Sequence, residues 1–378
     1  MHQLLKAMHQ MGGSDLFISA DFPPSVKAHG GMKPLSQQKL TGEITRTLAL
    51  SLMNEKQQAE FLSQMECNFA ISLPEVCRFR VNTFVQQQQV GMVIRTISSE
   101  IPTFEKLDLP PVLKDVIMTK RGLVLLVGGT GSGKSTTLAA MIDHRNSAAP
   151  GHIITVEDPV EYVHRNKSCL ITHREVGVDT LSWHHALKNT LRQAPDVILI
   201  GEIRDTETME HAIAFAETGH LCLGTLHANN ANQTMDRIIN FFPEERRNQL
   251  LMDLSSNLRA IVSQRLVRTE DGKGRKAAIE ILLNTPTIAE MIFKGSFQSI
   301  KEIMAKSREL GMRTFDQALF DLYDAGHVSY DEAIKNSDSA NELRLNIKLK
   351  GTRSQPAESS NTFNLELHEE KAPEEETK

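Results

Sequence analysis

The stretch Leu125–Met141, LLVGGTGSGKSTTLAAM, limits what this chain can be more than any other. Gly128, Gly133, Lys134 and Ser135 satisfy the spacing G-x-x-x-x-G-K-[S/T] in full. The apolar run Leu123–Val127 before it has the composition of a parallel-sheet strand. Ser135–His144 after it is a helix candidate, with Leu138, Met141 and Ile142 on one face. Glycines let consecutive N–H groups turn inward onto an anion, and a helix N-terminus adds partial positive charge. Gly128, Gly129, Thr130, Gly131, Ser132, Gly133, Lys134, Ser135 and Thr136 are therefore expected to cradle the phosphates of a nucleotide. Lys134 would reach the β- and γ-phosphates, and the Ser135 hydroxyl would hold Mg2+.

Holding phosphates is not cutting them; that needs carboxylates for metal and water. Two acidic segments follow apolar strand candidates. Ile153–Val156 ends in Glu157-Asp158-Pro159-Val160-Glu161, and Val197–Ile200 ends in Gly201-Glu202. Parallel sheets gather their sites at the carboxyl ends of strands, where the phosphate loop also emerges. Glu202 is expected to face Mg2+, and one of the earlier acids, Glu161 by preference, to orient the attacking water. Taken singly, such acids read equally as helix caps or as partners of surface bases.

The 378 residues exceed one ordinary small core, so two domains are expected. Residues 1–98 mix helix and strand signals: Leu4, Leu5 and Met8 at helical spacing, then strand candidates at Asp15–Ala20, Phe69–Leu73 and Arg78–Val85. Residues 99–110, with Pro102 and Pro110, read as a linker. Residues 111–276 alternate apolar strands with amphipathic helices, the pattern of a covered parallel sheet. Residues 277–350 read as mostly helical, and 351–378 as a disordered acidic tail. That tail carries seven Glu against Arg353, Lys371 and Lys378, a charge of 3 − 7 = −4. The whole chain carries −5, which leaves the body near neutral (−5 + 4 = −1), without the general attraction that nucleic acid requires. No apolar run approaches a membrane span or a secretory leader. The four cysteines are scattered, so neither a zinc knuckle nor a disulfide framework is expected, and a reducing cytoplasm fits.

Three further segments bear a resemblance to a known family. Thr155–Tyr162 (TVEDPVEY) resembles the Asp box of the secretion and pilus motor ATPases. Leu191–Asp205 (LRQAPDVILIGEIRD) resembles their Walker B segment, and Thr218–Ala228 (TGHLCLGTLHA) their His box. With the phosphate loop these make four boxes in order, and the resemblance runs from about Gly13 to Tyr330. It is strongest to the type IV pilus retraction ATPases, the PilT/PilU family. A long N-terminal extension and a tetracysteine segment, which mark many assembly-type relatives, are lacking. At Thr287–Gly295 the chain reads TIAEMIFKG where the PilT pattern has an arginine-bearing AIRNLIRE motif, and an acidic tail follows. Both features look like the PilU branch and imply action beside a PilT-type partner.

The resemblance implies a RecA-like P-loop core behind a small PAS-like α+β domain. It implies ATP with Mg2+ as ligands and a ring of six. It also implies contact with an inner-membrane platform protein of the pilus machine, from the cytoplasmic side. It makes Glu161 the catalytic glutamate and Glu202 the acid near Mg2+. It makes His220 and His227 residues of the γ-phosphate side, although composition alone would read both as ordinary core or surface groups. Arg78, Arg80 and Arg95 correspond to bases that approach phosphates across the domain cleft; for Arg78 and Arg80 an outward, solvated strand face fits equally well. The implied cycle closes the two domains on ATP and reopens them after hydrolysis, with the linker as hinge. Other readings are an assembly or secretion ATPase, a nucleotide-binding ring partner with little turnover, and a nucleic-acid translocase. One Trp and three Tyr offer little stacking surface for the last.

Overall fold

The computed structural model describes residues 1–28, 31–74, 76–97 and 100–353. Two sheets organise it. The first is antiparallel, in the order β3-β2-β1-β6-β5-β4, from strands β1 (Asp15–Ile18), β2 (Ser25–Ala28), β3 (Gly31–Pro34), β4 (Glu66–Leu73), β5 (Cys77–Gln86) and β6 (Gln89–Ile97). Alternation explains it: Phe79 and Val81 of β5 and Met92 and Ile94 of β6 face a core of their own with Leu5, Met8, Leu16 and Phe69. Sequence reading missed β6, because the run QQQQ at 86–89 hides a tight hairpin between β5 and β6.

The second sheet has seven strands in the order β13-β12-β7-β11-β10-β8-β9. They are β7 (Gly122–Val127), β8 (Gly151–Glu157), β9 (Cys169–Glu175), β10 (Val197–Ile200), β11 (Leu221–Leu226), β12 (Leu258–Arg268) and β13 (Arg275–Leu283). All neighbours are parallel except β12 and β13. β7, β10 and β11 are buried along their whole length, as their unbroken apolar composition requires of a sheet covered on both faces. One apolar layer contains Leu125, Ile198 and Phe215, the other Leu126, Leu138 and Leu223.

Two expected boundaries differ. Residues 277–283, read as helical, complete β13 and pair with β12; the β-branched Ile279 and Ile281 in a short buried run fit a strand that the helical reading overlooked. Much of the expected linker is packed: Phe104–Leu107 is a short helix capped by Thr103, and Phe104 and Leu109 are buried against the parallel-sheet domain. Any linker therefore ends before Thr103, and 98–99 lie outside the described residues. Beyond β13 come helices including Phe315–Asp324 and Ala340–Lys350, which share a small core with Val267 and Ala278. The expected acidic tail lies, from 354 on, outside the described residues.

Candidate nucleotide site

The sequence builds this site at the carboxyl edge of the parallel sheet. β7 ends at Val127 and the helix Lys134–Ala148 begins at Lys134, so the loop must turn within six residues. Gly128, Gly131 and Gly133 take φ of 153°, 75° and 89°, which L side chains rarely adopt. A Cβ on Gly128 would stand 2.5 Å from the Gln264 carbonyl oxygen, and one on Gly133 would stand 2.7 Å from the Gln264 side-chain nitrogen. Gln264 is itself fixed by Thr137, whose hydroxyl donates to its Oε1 at 2.8 Å inside the core.

Lys134 folds back over the loop, its Nζ donating to the carbonyls of Gly128 (2.8 Å) and Gly129 (3.0 Å). Burial pushes its pKa down, partly offset by the nearby Glu202. The cleft beside it is lined by Thr130, Gly131, Lys134 and Ser135 from the loop, Glu157 and Glu161 from the end of β8, Glu202 from the end of β10, and His227 from the end of β11. Two strand ends thus deliver these three acids to one space, and a third delivers an imidazole. Glu202 stands at its centre, with one oxygen 3.3 Å from His227 Nε2 and the other 2.7 Å from Arg204 Nη2.

The two acids of the β8 segment differ in kind. Glu157 is buried, and desolvation raises its pKa to about 7. Glu161 is exposed, and its N–H donates to Glu157 Oε2 at 3.4 Å. The rest of that loop is tied down to β9. The Val160 N–H donates to Glu175 Oε2 (3.3 Å), and the His164 N–H donates to His173 Nε2 (3.1 Å). Because His173 Nε2 accepts, its proton sits on Nδ1, facing the Thr155 hydroxyl at 2.9 Å. Burial depresses the pKa of His173, and that of His164 to about 4, so both imidazoles stay neutral. Tyr162 and Thr136 share a hydroxyl hydrogen bond of 3.0 Å, which joins this loop to the phosphate loop.

The residues present fit Mg2+ and a phosphate chain. Ser132 Oγ is buried without a hydrogen-bond partner, and a Cβ on Gly131 would meet nothing within 4 Å, so the loop's inner face has a donor to give and room to receive. Ser135 and Glu202 offer the hard oxygen donors that Mg2+ prefers.

Not every expected residue is brought there. His220 sits at the opposite edge of the sheet: its carbonyl accepts from Gly122 at the start of β7, and its Nδ1 lies 3.0 Å from the Thr218 hydroxyl. Seven residues of extended chain separate it from His227, roughly 20 Å. Within one chain it does not reach the cleft. None of Arg78, Arg80 and Arg95 is among the described residues that line the cleft. Arg95 is exposed and pairs with Asp15 at 2.8 Å inside its own domain. Arg78 reaches across to the parallel-sheet domain, where its Nη2 lies 3.2 Å from Glu175 Oε2. Arg204, Tyr162, Trp183 and Glu175 were missed. Arg204 and Tyr162 stand inside the quoted boxes, but nothing in the pattern distinguishes a residue that braces the site from one that faces solvent.

The family model for type II/IV secretion system proteins matches residues 27–333. The chain belongs to that family. It is 58% identical over 347 residues to the type IV pilus ATPase PilU of Pseudomonas aeruginosa, covering 92% of this chain and 91% of that one. It is 42% identical over 331 residues to the type IV pilus retraction ATPase PilT of the same organism, covering 88% and 96%. Among solved structures, the pilus retraction motor PilT with bound ADP superposes with a TM-score of 0.85 at 40% identity, over 91% of this chain and 98% of that one. Both domains of this family member are therefore spanned by the likeness.

Proposed function

We propose that this chain is a Mg2+-dependent ATP hydrolase that powers or assists retraction of a type IV pilus. The observation that carries the reading is the convergence of Lys134, Ser135, Glu161, Glu202 and His227 on one cleft at the carboxyl edge of the parallel sheet. Residues 128–136 hold the phosphates. Ser135 and Glu202 hold Mg2+, which when bound neutralises charge on the transferring phosphoryl group. Glu161, exposed to the cleft, orients water for attack, while buried Glu157 props its backbone. His227 stands beside Glu202 and senses the γ-phosphate side.

The names of its relatives support the pilus setting, and the antiparallel N-terminal unit is read as a PAS-like lid. In this reading Arg78 leaves Glu175 when the lid closes and meets phosphate instead, a swap that suits a guanidinium fork. The chain works as a ring of six, at the inner face of the inner membrane, against a platform protein and beside a PilT-type partner. Among the described residues no helix is long and apolar enough to cross a membrane. The test is ATP turnover and native mass of the pure chain, with and without a PilT-type partner, for the wild type, Lys134→Ala and Glu161→Gln. Lys134→Ala should lose nucleotide binding. Glu161→Gln should bind ATP and fail to cut it. Normal turnover in Lys134→Ala would sink the assignment; normal turnover in Glu161→Gln together with a dead Glu157→Gln would transfer the water-orienting role to Glu157.

A further inference from the structure

At the surface of the parallel-sheet domain, outside the lining of the cleft, three metal-ligating side chains converge. Glu207 and His211 stand four residues apart on the helix Thr206–Glu217, hence on one face, one turn apart. His184 comes from the first turn of the neighbouring helix Trp183–Thr190. Its Nδ1 contacts Glu207 Oε1, and its ring centroid lies 6.5 Å from that of His211, the planes 65° apart. One ligand atom from each of the three lies within 4.8 Å of the others, a grouping that stands alone among the described residues.

Two ordinary explanations fall short. Neither helix start needs the trio: Ser182 caps one helix, and Asp205 with Thr208 forms a capping box on the other. A simple ion pair accounts for His184 and Glu207 but not for a second imidazole at the same place. We propose that His184, Glu207 and His211 form a binding site for a transition-metal dication of the Zn2+ type. Two imidazole nitrogens and one carboxylate oxygen are a borderline donor set, suited to Zn2+ and its neighbours and poorly suited to Mg2+ or Ca2+, which prefer oxygen alone. Zn2+ sits about 2.0–2.2 Å from such donors, so a tetrahedral set needs them about 3.4 Å apart. Rotation of the exposed His184 and Glu207 side chains, moving their ligand atoms by roughly 1 Å, closes the difference, and a fourth position remains for water.

The position gives the ion a consequence. Trp183, next to His184, lines the nucleotide cleft, and the helix Thr206–Glu217 begins four residues after Glu202. A bound ion would clip together two helices, one that begins with a cleft residue and one that follows a cleft residue by four positions. The site stands independently of the ATPase assignment, because its ligands take no part in it.

The test is calorimetric titration of the full, untagged chain with ZnCl2, in parallel with His184→Ala, His211→Ala and His185→Ala. Wild type should bind one ion per chain and melt at a higher temperature with Zn2+. His184→Ala and His211→Ala should each weaken binding at least tenfold, as loss of a ligand exceeds the effect of losing a supporting group. His185→Ala, an adjacent exposed imidazole outside the trio, should bind as wild type does. Co2+ in place of Zn2+ should give the visible absorption of a four-coordinate ion in the wild type and in His185→Ala, and not in His184→Ala or His211→Ala. Wild-type affinity in His184→Ala or His211→Ala, or equal loss in His185→Ala, would overturn the site.

Discussion

Arg78 is the one arginine of the three with an ion pair from the antiparallel domain to the other, and its removal makes a quantitative test. Glu175 is almost wholly buried at the end of β9, and Arg78 is its ion-pair partner. Burial raises the Glu175 pKa; Arg78 opposes this, as does the Val160 N–H. The sign follows. A carboxyl whose folded pKa lies above its unfolded value costs stability as pH rises through that interval. Arg78→Ala raises the folded pKa further, so the variant's deficit should be small near pH 4.5 and grow toward pH 8. Breaking a buried pair costs about 3–5 kcal/mol. Arg78 keeps 23% of its side-chain surface in water, and Val160 still donates, so about 2 kcal/mol is expected at pH 8. For a domain of this size that is a fall in melting temperature of about 4–8 °C. The assay is thermal or urea unfolding, without nucleotide, at pH 5 and pH 8, for Arg78→Ala, Glu175→Gln and the double variant. Glu175→Gln keeps an acceptor for Val160 and removes the charge that needs Arg78, so the double variant should lose less than the sum of the singles. Additive losses, or an Arg78→Ala deficit that does not grow with pH, would refute this role of the Arg78–Glu175 pair.

Two more outcomes follow from buried groups near the site. Gly128→Ala must place a Cβ 2.5 Å from backbone at a φ of 153°, so the loop should shift; we expect at least tenfold weaker nucleotide binding, measured by calorimetry, and about 2 kcal/mol lost stability in urea melts. Glu280, buried on β13, has its pKa raised to about 7 and accepts from the Ala231 N–H (2.8 Å) and the Ser263 hydroxyl (3.1 Å). Because its folded pKa is the higher one, its charging costs stability between about pH 4.5 and pH 7. Glu280→Gln keeps the acceptor and loses the proton, so relative to wild type it should gain roughly 2–3 kcal/mol in urea melts between pH 5 and pH 8; parallel pH curves would rule this out.

The chain's order alone determined the phosphate loop, the parallel strands β7, β8 and β10, and the two acids that close the cleft with it. The reason is local: a strand buried on both faces must be apolar throughout, and a loop that turns onto an anion must spend glycines at fixed positions, so both leave marks in adjacent residues. His220 and His227 show where that stops. They share one box and flank one strand, and a strand has two ends; only the sheet's register puts His227 at the cleft and His220 at the other edge. The same holds for Glu175, which takes Arg78 from 97 residues away and Val160 from 15, and for His184, which meets Glu207 and His211 only because their helices pack side by side. Such meetings depend on which elements become neighbours, and that is decided by burying apolar faces over the whole domain, a process that leaves no spacing in the sequence to read.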